Sequence, residues 1–160
     1  MTIKVGDSIP LLELTRMTTQ GPESISTNDI FMGKKVVALG LPGAFTPTCS
    51  AKHLPGFIRN GEAIKSKGVD TIVCISVNDA FVMGAWGESQ GVGNIVLMVA
   101  DGSGFFASAT GLELDLSNRG FGMRSQRFAM IVQDGIVSSI HIDAGGTFGE
   151  TSAETILGLL

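Results

Sequence analysis

The sequence predicts an α/β fold in which helices cover a mixed β-sheet. Two observations support this class: apolar, β-rich segments alternate with helical segments through most of the chain, and two strand-like segments near its end flank an Asp-Gly pair. Strand–helix alternation is typical of parallel strands, whereas Asp-Gly between strands indicates an antiparallel hairpin. A chain of 160 residues fits one folding unit, so we expect residues 1–160 to form a single domain.

The strands are predicted from apolar runs that do not alternate with polar residues, since such runs are typical of strands buried on both faces. Three of them occupy residues 35–41, 69–77 and 95–100. The hairpin strands occupy residues 127–132 and 136–142, on either side of the turn that contains Asp-Gly.

Helices are predicted between these strands. One begins near Thr48, is kinked at Pro55 because proline interrupts helical hydrogen bonding, and ends at Gly68. Asn78-Asp79 caps a second helix, a short one includes residues 105–106, and the last covers residues 151–160. Strand–helix units followed by a C-terminal hairpin and helix are the pattern of a thioredoxin-like α/β domain with a central mixed sheet.

Composition excludes several classes of protein. Hydrophobic residues make up 44% of the chain and charged residues 16%, which suits a packed core rather than disorder. The net charge of −4, without a basic stripe, argues against a nucleic-acid partner. Apolar runs are far shorter than the ~20 residues of a membrane span. With no apolar leader segment and only two cysteines, we expect a cytoplasmic, reducing location.

No metal and no cofactor is expected. The cysteines and histidines, at positions 49, 53, 74 and 141, do not have the spacing of a zinc site. Residues 101–104 lack the carboxylates of a calcium loop, and residues 40–43 lack the Gly-Lys-Ser/Thr ending of a nucleotide-binding loop.

Cys49 is the candidate nucleophile. It lies between the carboxyl end of the predicted strand 35–41 and the first turn of a helix, where open α/β sheets bind ligands. Unpaired backbone N–H groups and the helix dipole favour the reactive thiolate there. A lone cysteine is more often a small buried hydrophobe, but here proline, glycine, threonine and serine surround it. Thr46 stands where a Cys-x-x-Cys pair would need its second sulfur, which excludes dithiol exchange within this loop.

Residues 42–50, Pro-Gly-Ala-Phe-Thr-Pro-Thr-Cys-Ser, resemble the active-site loop of peroxiredoxins, whose signature is Pro-x-x-x-Thr-x-x-Cys. The longer match is similar to the subfamily of peroxiredoxin 5 and the plant type II enzymes. Further similar segments follow in the same order along the chain, at residues 53–57, 74–82 and 127–130, and one precedes the loop at residues 5–10. The resemblance therefore extends over nearly the whole chain.

The resemblance implies a thiol-dependent peroxidase that reduces hydrogen peroxide and organic hydroperoxides. Cys49 would attack the peroxide and become a sulfenic acid. Thr46 would hydrogen-bond the thiolate and the peroxide oxygens, and Pro42 would shield the sulfur from water. Arg127 matches the family arginine, whose charge stabilises the thiolate and the leaving oxygen. Arg124, in the loop before the same strand, is the alternative for that role.

The sulfenic acid must then be reduced by a second thiol. One branch of the subfamily carries that thiol late in the chain, but residues 145–152 contain no cysteine. Cys74 is the remaining candidate resolving thiol, and plant type II relatives have a cysteine there. Its position in the middle of a strand predicts burial, and a disulfide needs Cα atoms within about 7 Å. We therefore expect a one-cysteine cycle with glutathione and glutaredoxin, or thioredoxin, as the reductant. The resemblance also implies a homodimer.

Two alternatives stay open. The chain could be a non-catalytic thioredoxin-like redox sensor or holdase that uses oxidation of Cys49 as a signal. His53 follows Cys49 by four residues and could form a Cys–His catalytic pair on the same helix face, although a helix-capping or packing role is favoured. His141 lies in a hairpin strand and is expected to be structural.

Overall fold

The computed structural model describes residues 1–144 and 147–160. The strands are β1 (Glu13–Thr18), β2 (Gly21–Ser26), β3 (Lys35–Leu41), β4 (Thr71–Ser76), β5 (Leu97–Ala100), β6 (Glu113–Leu116), β7 (Gly122–Ser125), β8 (Arg127–Gln133) and β9 (Ile136–Asp143). The α-helices are α1 (Thr27–Phe31), α2 (Leu54–Arg59), α3 (Gly61–Lys65), α4 (Ala80–Gln90), α5 (Phe105–Thr110) and α6 (Ala153–Leu157). A π-helical turn at Cys49–His53 precedes α2, and a 3-10 turn at Ser117–Arg119 follows β6.

Seven strands form one mixed sheet in the order β2-β1-β5-β4-β3-β8-β9. The central strands β3, β4 and β5 are parallel to one another. In contrast, β8 pairs antiparallel with both β3 and β9. Strands β6 and β7 form a separate two-stranded hairpin. The thioredoxin-like fold with a C-terminal strand pair and helix is confirmed.

Helices cover both faces of this sheet because its central strands are apolar at nearly every position. In β3, Val37, Leu39 and Leu41 point into the core beneath α2, α4 and α6. Val36 and Ala38, on the opposite face, pack with buried residues of α1 and α5. The alternation of side chains along a strand makes this division. Strand β3 therefore contributes side chains to the cores on both faces of the sheet, and it ends at the loop that contains Cys49.

The register between β3 and β8 is fixed by a close contact between the backbone of β3 and an aromatic ring of β8. Gly40 pairs with Phe128 across the two strands, and a Cβ at Gly40 would overlap the Phe128 ring. Any larger residue at position 40 would displace that ring. Because Arg127 immediately precedes Phe128, this register brings Arg127 to the carboxyl end of β3.

The structure also differs from the prediction at several elements. The sequence analysis did not predict the β1–β2 hairpin, helix α1 or the β6–β7 hairpin. Their segments are short and largely polar, so they lack the apolar runs by which the central strands were predicted. The helix expected from residue 48 to the glycine at 68 is divided into the π-helical turn, α2 and α3, and the last helix is confined to Ala153–Leu157. Among the described residues, no helix is long and apolar enough to cross a membrane.

Candidate active site

Cys49 lies in the first turn after the loop that follows β3, as predicted. The backbone N–H of Leu54 donates to the carbonyl of Cys49, five residues earlier, and so forms the π-helical turn. Pro55 accounts for this turn, because proline has no N–H and its ring clashes with the carbonyl four residues before it. Such π-helical turns are often found at functional sites. The side chain of Cys49 points inward and is only 1% exposed.

The loop before Cys49 is held by its own hydrogen bonds and by the end of β4. Thr46 Oγ1 donates to the carbonyl of Gly43 at 2.7 Å, and the N–H of Ala44 donates to Asn78 Oδ1 at 3.0 Å. Asn78 therefore ties the loop to the neighbouring strand. From the sequence, Asn78 is predicted only as part of a helix cap. In this structure the Thr46 hydroxyl bonds to the loop carbonyl rather than to the Cys49 sulfur.

Arg127 is the charged group at the sulfur. Its Nη2 donates to Cys49 Sγ at 3.3 Å, and its side chain is buried, with the residue 3% exposed. The two residues are 78 positions apart in the sequence and meet because β8 pairs with β3. Arg124, the alternative, donates instead to the carbonyls of Pro42 and Phe121. The structure thus places Arg127, and not Arg124, on the sulfur.

His53 orients Arg127. Arg127 Nη1 lies 3.0 Å from His53 Nδ1, and His53 Nε2 lies 3.0 Å from the carbonyl oxygen of Thr151. Since a carbonyl can only accept, Nε2 carries the ring proton and Nδ1 accepts from the guanidinium. Burial, together with the charge of Arg127, lowers the pKa of His53 to about 3. The neutral imidazole thereby fixes Arg127 without neutralising its charge.

This arrangement decides between the two roles considered for His53. Its side chain makes no helix-capping hydrogen bond, and its nitrogens bind Arg127 and Thr151 rather than the Cys49 sulfur. The expected packing is present, since the ring contacts those of Phe57 and Phe148. His53 is therefore a positioning residue for Arg127, a role that sequence reasoning did not predict.

Asp143, at the end of β9, holds the segment that carries the Thr151 carbonyl. Its carboxylate accepts from the N–H groups of Gly149, Glu150 and Thr151 and from the Thr151 hydroxyl, the last at 2.6 Å. Burial acts to raise the pKa of Asp143, but the hydrogen bonds from Thr151, Gly149 and Glu150 outweigh it and lower this pKa. A chain of polar contacts therefore runs from Asp143 through Thr151, His53 and Arg127 to Cys49.

A cavity of about 240 Å³ opens beside this arrangement. Its lining includes three of the predicted site residues, Pro42, Thr46 and Arg127. A larger cavity, of about 460 Å³, lies along β1, β5 and α4 and is lined by none of them. The smaller cavity thus adjoins the active-site loop and Arg127, which contacts the buried Cys49 sulfur.

Cys74 is buried as expected. It lies in the middle of β4, paired with Leu39 of β3, and is 0% exposed. Burial, with a smaller effect of Cys49, raises the pKa of the Cys74 thiol above its ordinary value. Cys49 and Cys74 are both free thiols in this structure. Across residues 1–144 and 147–160, no group of three His, Cys, Asp or Glu side chains could hold a metal ion.

Comparison with known proteins assigns the family. The fold and the buried Cys49–Arg127 contact define a thiol-based oxidoreductase of the thioredoxin-like class. The chain matches the family model described as Redoxin over residues 4–157, and it is 47% identical to Peroxiredoxin-2B of Arabidopsis thaliana over 156 residues, which cover 97% of this chain and 96% of that protein. The chain belongs to the peroxiredoxin family and is a thiol-dependent peroxidase.

Solved structures agree with this assignment. Reduced Prx3 from Vibrio vulnificus, crystallised in complex with H2O2, has a TM-score of 0.94 and 46% identity, over 99% of each chain. Peroxiredoxin 5 from Alvinella pompejana has a TM-score of 0.86 and 34% identity, over 97% of this chain and 96% of that one. The predicted resemblance to the peroxiredoxin 5 and plant type II subfamily is confirmed, and the peroxidase is favoured over the non-catalytic sensor or holdase.

Proposed function

We propose that this peroxidase reduces hydrogen peroxide and organic hydroperoxides by a one-cysteine cycle at Cys49. The observation that carries the proposal is the 3.3 Å contact from Arg127 Nη2 to Cys49 Sγ, because it places a fixed positive charge on the sulfur of the active-site loop, and Arg127 itself lines the cavity. The Vibrio vulnificus relative crystallised with H2O2 supports hydrogen peroxide as a substrate.

In the first step the Cys49 thiolate attacks the terminal oxygen of the hydroperoxide. The S–O bond forms as the O–O bond breaks, the sulfur is oxidised to a sulfenic acid, and the leaving oxygen takes up a proton and departs as water or an alcohol. A reducing thiol then displaces water from the sulfenic acid and forms a mixed disulfide. A second thiol attacks that disulfide and regenerates the Cys49 thiolate.

Arg127 stabilises the negative charge that passes from sulfur to the leaving oxygen. Its buried Nε has no hydrogen-bond partner within the described part of the chain. Since buried donors are rarely left unpaired, we infer that a peroxide oxygen accepts from it. Thr46 would turn its hydroxyl from the Gly43 carbonyl towards the peroxide, and Pro42, which lines the same cavity, would exclude water from the sulfur.

The reductant would be an external thiol, namely glutathione with glutaredoxin, or thioredoxin. Cys74 is paired on both sides in the sheet, with Leu39 of β3 and Met98 of β5. Its side chain is wholly buried in the core, so we expect a disulfide with Cys49 to require local unfolding, because disulfide geometry needs the two backbones close together and correctly oriented. An external thiol needs only local exposure of Cys49.

The Cys74→Ser variant tests the one-cysteine cycle. We expect it to retain turnover close to that of the native chain, because Cys74 takes no part in the reaction. Peroxide consumption is measured with glutathione plus glutaredoxin, and separately with thioredoxin plus its reductase. Protein treated with equimolar peroxide is analysed in parallel by non-reducing mass spectrometry. Loss of turnover in Cys74→Ser, together with a dominant Cys49–Cys74 disulfide in the native chain, would contradict the proposal.

We further propose a cytoplasmic homodimer, with residues 1–160 as one domain. The small number of cysteines, two in 160 residues, supports a reducing compartment. Exposed aromatic side chains near the active-site loop, those of Phe45 and Phe81, support association through that edge. Sedimentation at micromolar concentration tests the dimer, and a monomer there would contradict it.

A further inference from the structure

The substrate cavity is larger than hydrogen peroxide requires. Its volume is about 240 Å³, whereas a water molecule occupies about 30 Å³ in the liquid. It therefore has room for several groups besides the two oxygens of a hydroperoxide. The space lies between the active-site loop and the β6–β7 hairpin, so the hairpin determines what the remaining volume accepts.

The hairpin presents an apolar wall to the cavity. Leu114, Leu116 and Phe121 line it, and the first two are half-buried. Successive side chains of a strand point to opposite faces. Glu113 and Asp115, which alternate with these leucines in β6, are therefore directed away from the cavity, and both are exposed. An organic body rather than water suits this wall.

Two arginines line the same cavity, and a third lies on the hairpin beside it. Arg127 lies at its inner end beside Cys49, and Arg119, from the turn that joins β6 to β7, also lines it. Arg124 pairs with Leu114 across the hairpin and contacts the Phe121 ring. The ion pairs found in residues 1–144 and 147–160 are Lys4–Asp7 and Arg16–Glu23, and they include none of these three arginines. The cavity is thus cationic on a chain whose net charge is −4.

Arg119 differs from the other two because it has no role in holding the site. Arg127 is bound to Cys49 and His53, and Arg124 to the carbonyls of Pro42 and Phe121. The guanidinium of Arg119 is exposed at the hairpin turn and makes no hydrogen bond to another described residue. It is available to a ligand that enters past the apolar wall.

We propose that the cavity selects organic hydroperoxides that carry an apolar body and a carboxylate, with Arg119 as the residue that binds the carboxylate. The inference rests on the proposed reaction at Cys49. The hydroperoxide end lies at Cys49 and Arg127, the body lies against Leu114, Leu116 and Phe121, and the anionic end meets Arg119. Guanidinium binds carboxylate through paired N–H donors, and neutral hydroperoxides of the same shape lack this contact.

The test uses cumene hydroperoxide bearing a para carboxylate and the methyl ester of the same compound, which share shape but differ by one charge. We expect Arg119→Gln to lower kcat/KM for the carboxylate about three- to fivefold, the upper part of the range for an exposed ion pair, and to leave the ester and hydrogen peroxide unchanged. Added salt should lower the native kcat/KM for the carboxylate alone. Lys67→Gln, which removes an exposed charge near the opposite end of β4, should change none of the three.

An equal effect of Arg119→Gln on the acid and the ester, or no effect on either, would overturn the assignment of Arg119. Failure of the proposed reaction itself would give a different result. The native chain would then consume all three peroxides no faster than a variant that lacks Cys49. Hydrogen peroxide serves as the reference substrate in both cases, since it has neither an apolar body to contact the wall nor a carboxylate to bind Arg119.

Discussion

Replacing Arg127 with glutamine is expected to lower the second-order rate constant for oxidation of Cys49 by hydrogen peroxide by about 10²- to 10³-fold, the loss found when one preorganised donor to a developing negative charge is removed. Arg127 Nη2 is the donor at the sulfur, and no carboxylate of the described chain offsets its charge. Glutamine keeps a polar group at this buried position but lacks the charge and the second N–H group of the guanidinium fork.

The single tryptophan provides the measurement. Trp86 Nε1 donates to the hydroxyl of Ser50, the residue after Cys49, so its fluorescence should report oxidation in a stopped-flow experiment. Cys49→Ser, which lacks the reactive thiol, gives the baseline fluorescence. Thermal unfolding is measured for Arg127→Gln and for Arg127→Lys, which keeps the charge but not the forked guanidinium. An unchanged melting temperature shows that a slower reaction is not caused by unfolding.

Arg124→Gln is the matched control for this prediction. Arg124 contacts the Pro42 carbonyl of the same loop, but it does not contact the sulfur. Its replacement should therefore reduce the rate much less than replacement of Arg127. If Arg124→Gln and Arg127→Gln slow the reaction equally, the loop geometry and not the charge at Cys49 governs the rate.

The local part of this site could be predicted from the sequence because it is contiguous. Pro42, Thr46 and Cys49 lie within one loop after an apolar strand, and the structure keeps them together at one end of the sheet. Arg127 could be assigned only through the family resemblance, since its approach depends on pairing between β3 and β8. A slip of one residue in that pairing would turn Arg127 to the other face of the sheet.

The supporting contacts could not be predicted at all. His53 binds the carbonyl of Thr151, which is 98 residues away, and any residue type could supply that carbonyl. Asp143 acts on a backbone segment rather than on the reacting groups. The fold shows the same limit: β3 was predicted with its observed bounds, whereas the polar β1 and β2 form strands only because the edge of the sheet supplies their partners.

Lowering the pH from about 7.5 to about 5 is expected to reduce the free energy of unfolding by about 2 kcal/mol through His53 alone. In the folded chain His53 stays neutral across this range, because burial and Arg127 lower its pKa from 6.5 to about 3. In the unfolded chain it takes up a proton below its ordinary value of 6.5. The unfolded state therefore binds more protons in this window, so stability falls as the pH falls.

Urea unfolding at a series of pH values measures this slope. His53→Gln should flatten it, because a glutamine amide does not titrate yet can donate to the Thr151 carbonyl and accept from Arg127. His141→Gln, which removes the other histidine of the chain, should leave the slope in place. Asp143 does not confuse the result, because its pKa is lowered from 3.8 and its protonation lies below the window. Identical slopes in the native chain and His53→Gln would mean that another group carries the acid sensitivity and that the neutral imidazole does not fix Arg127.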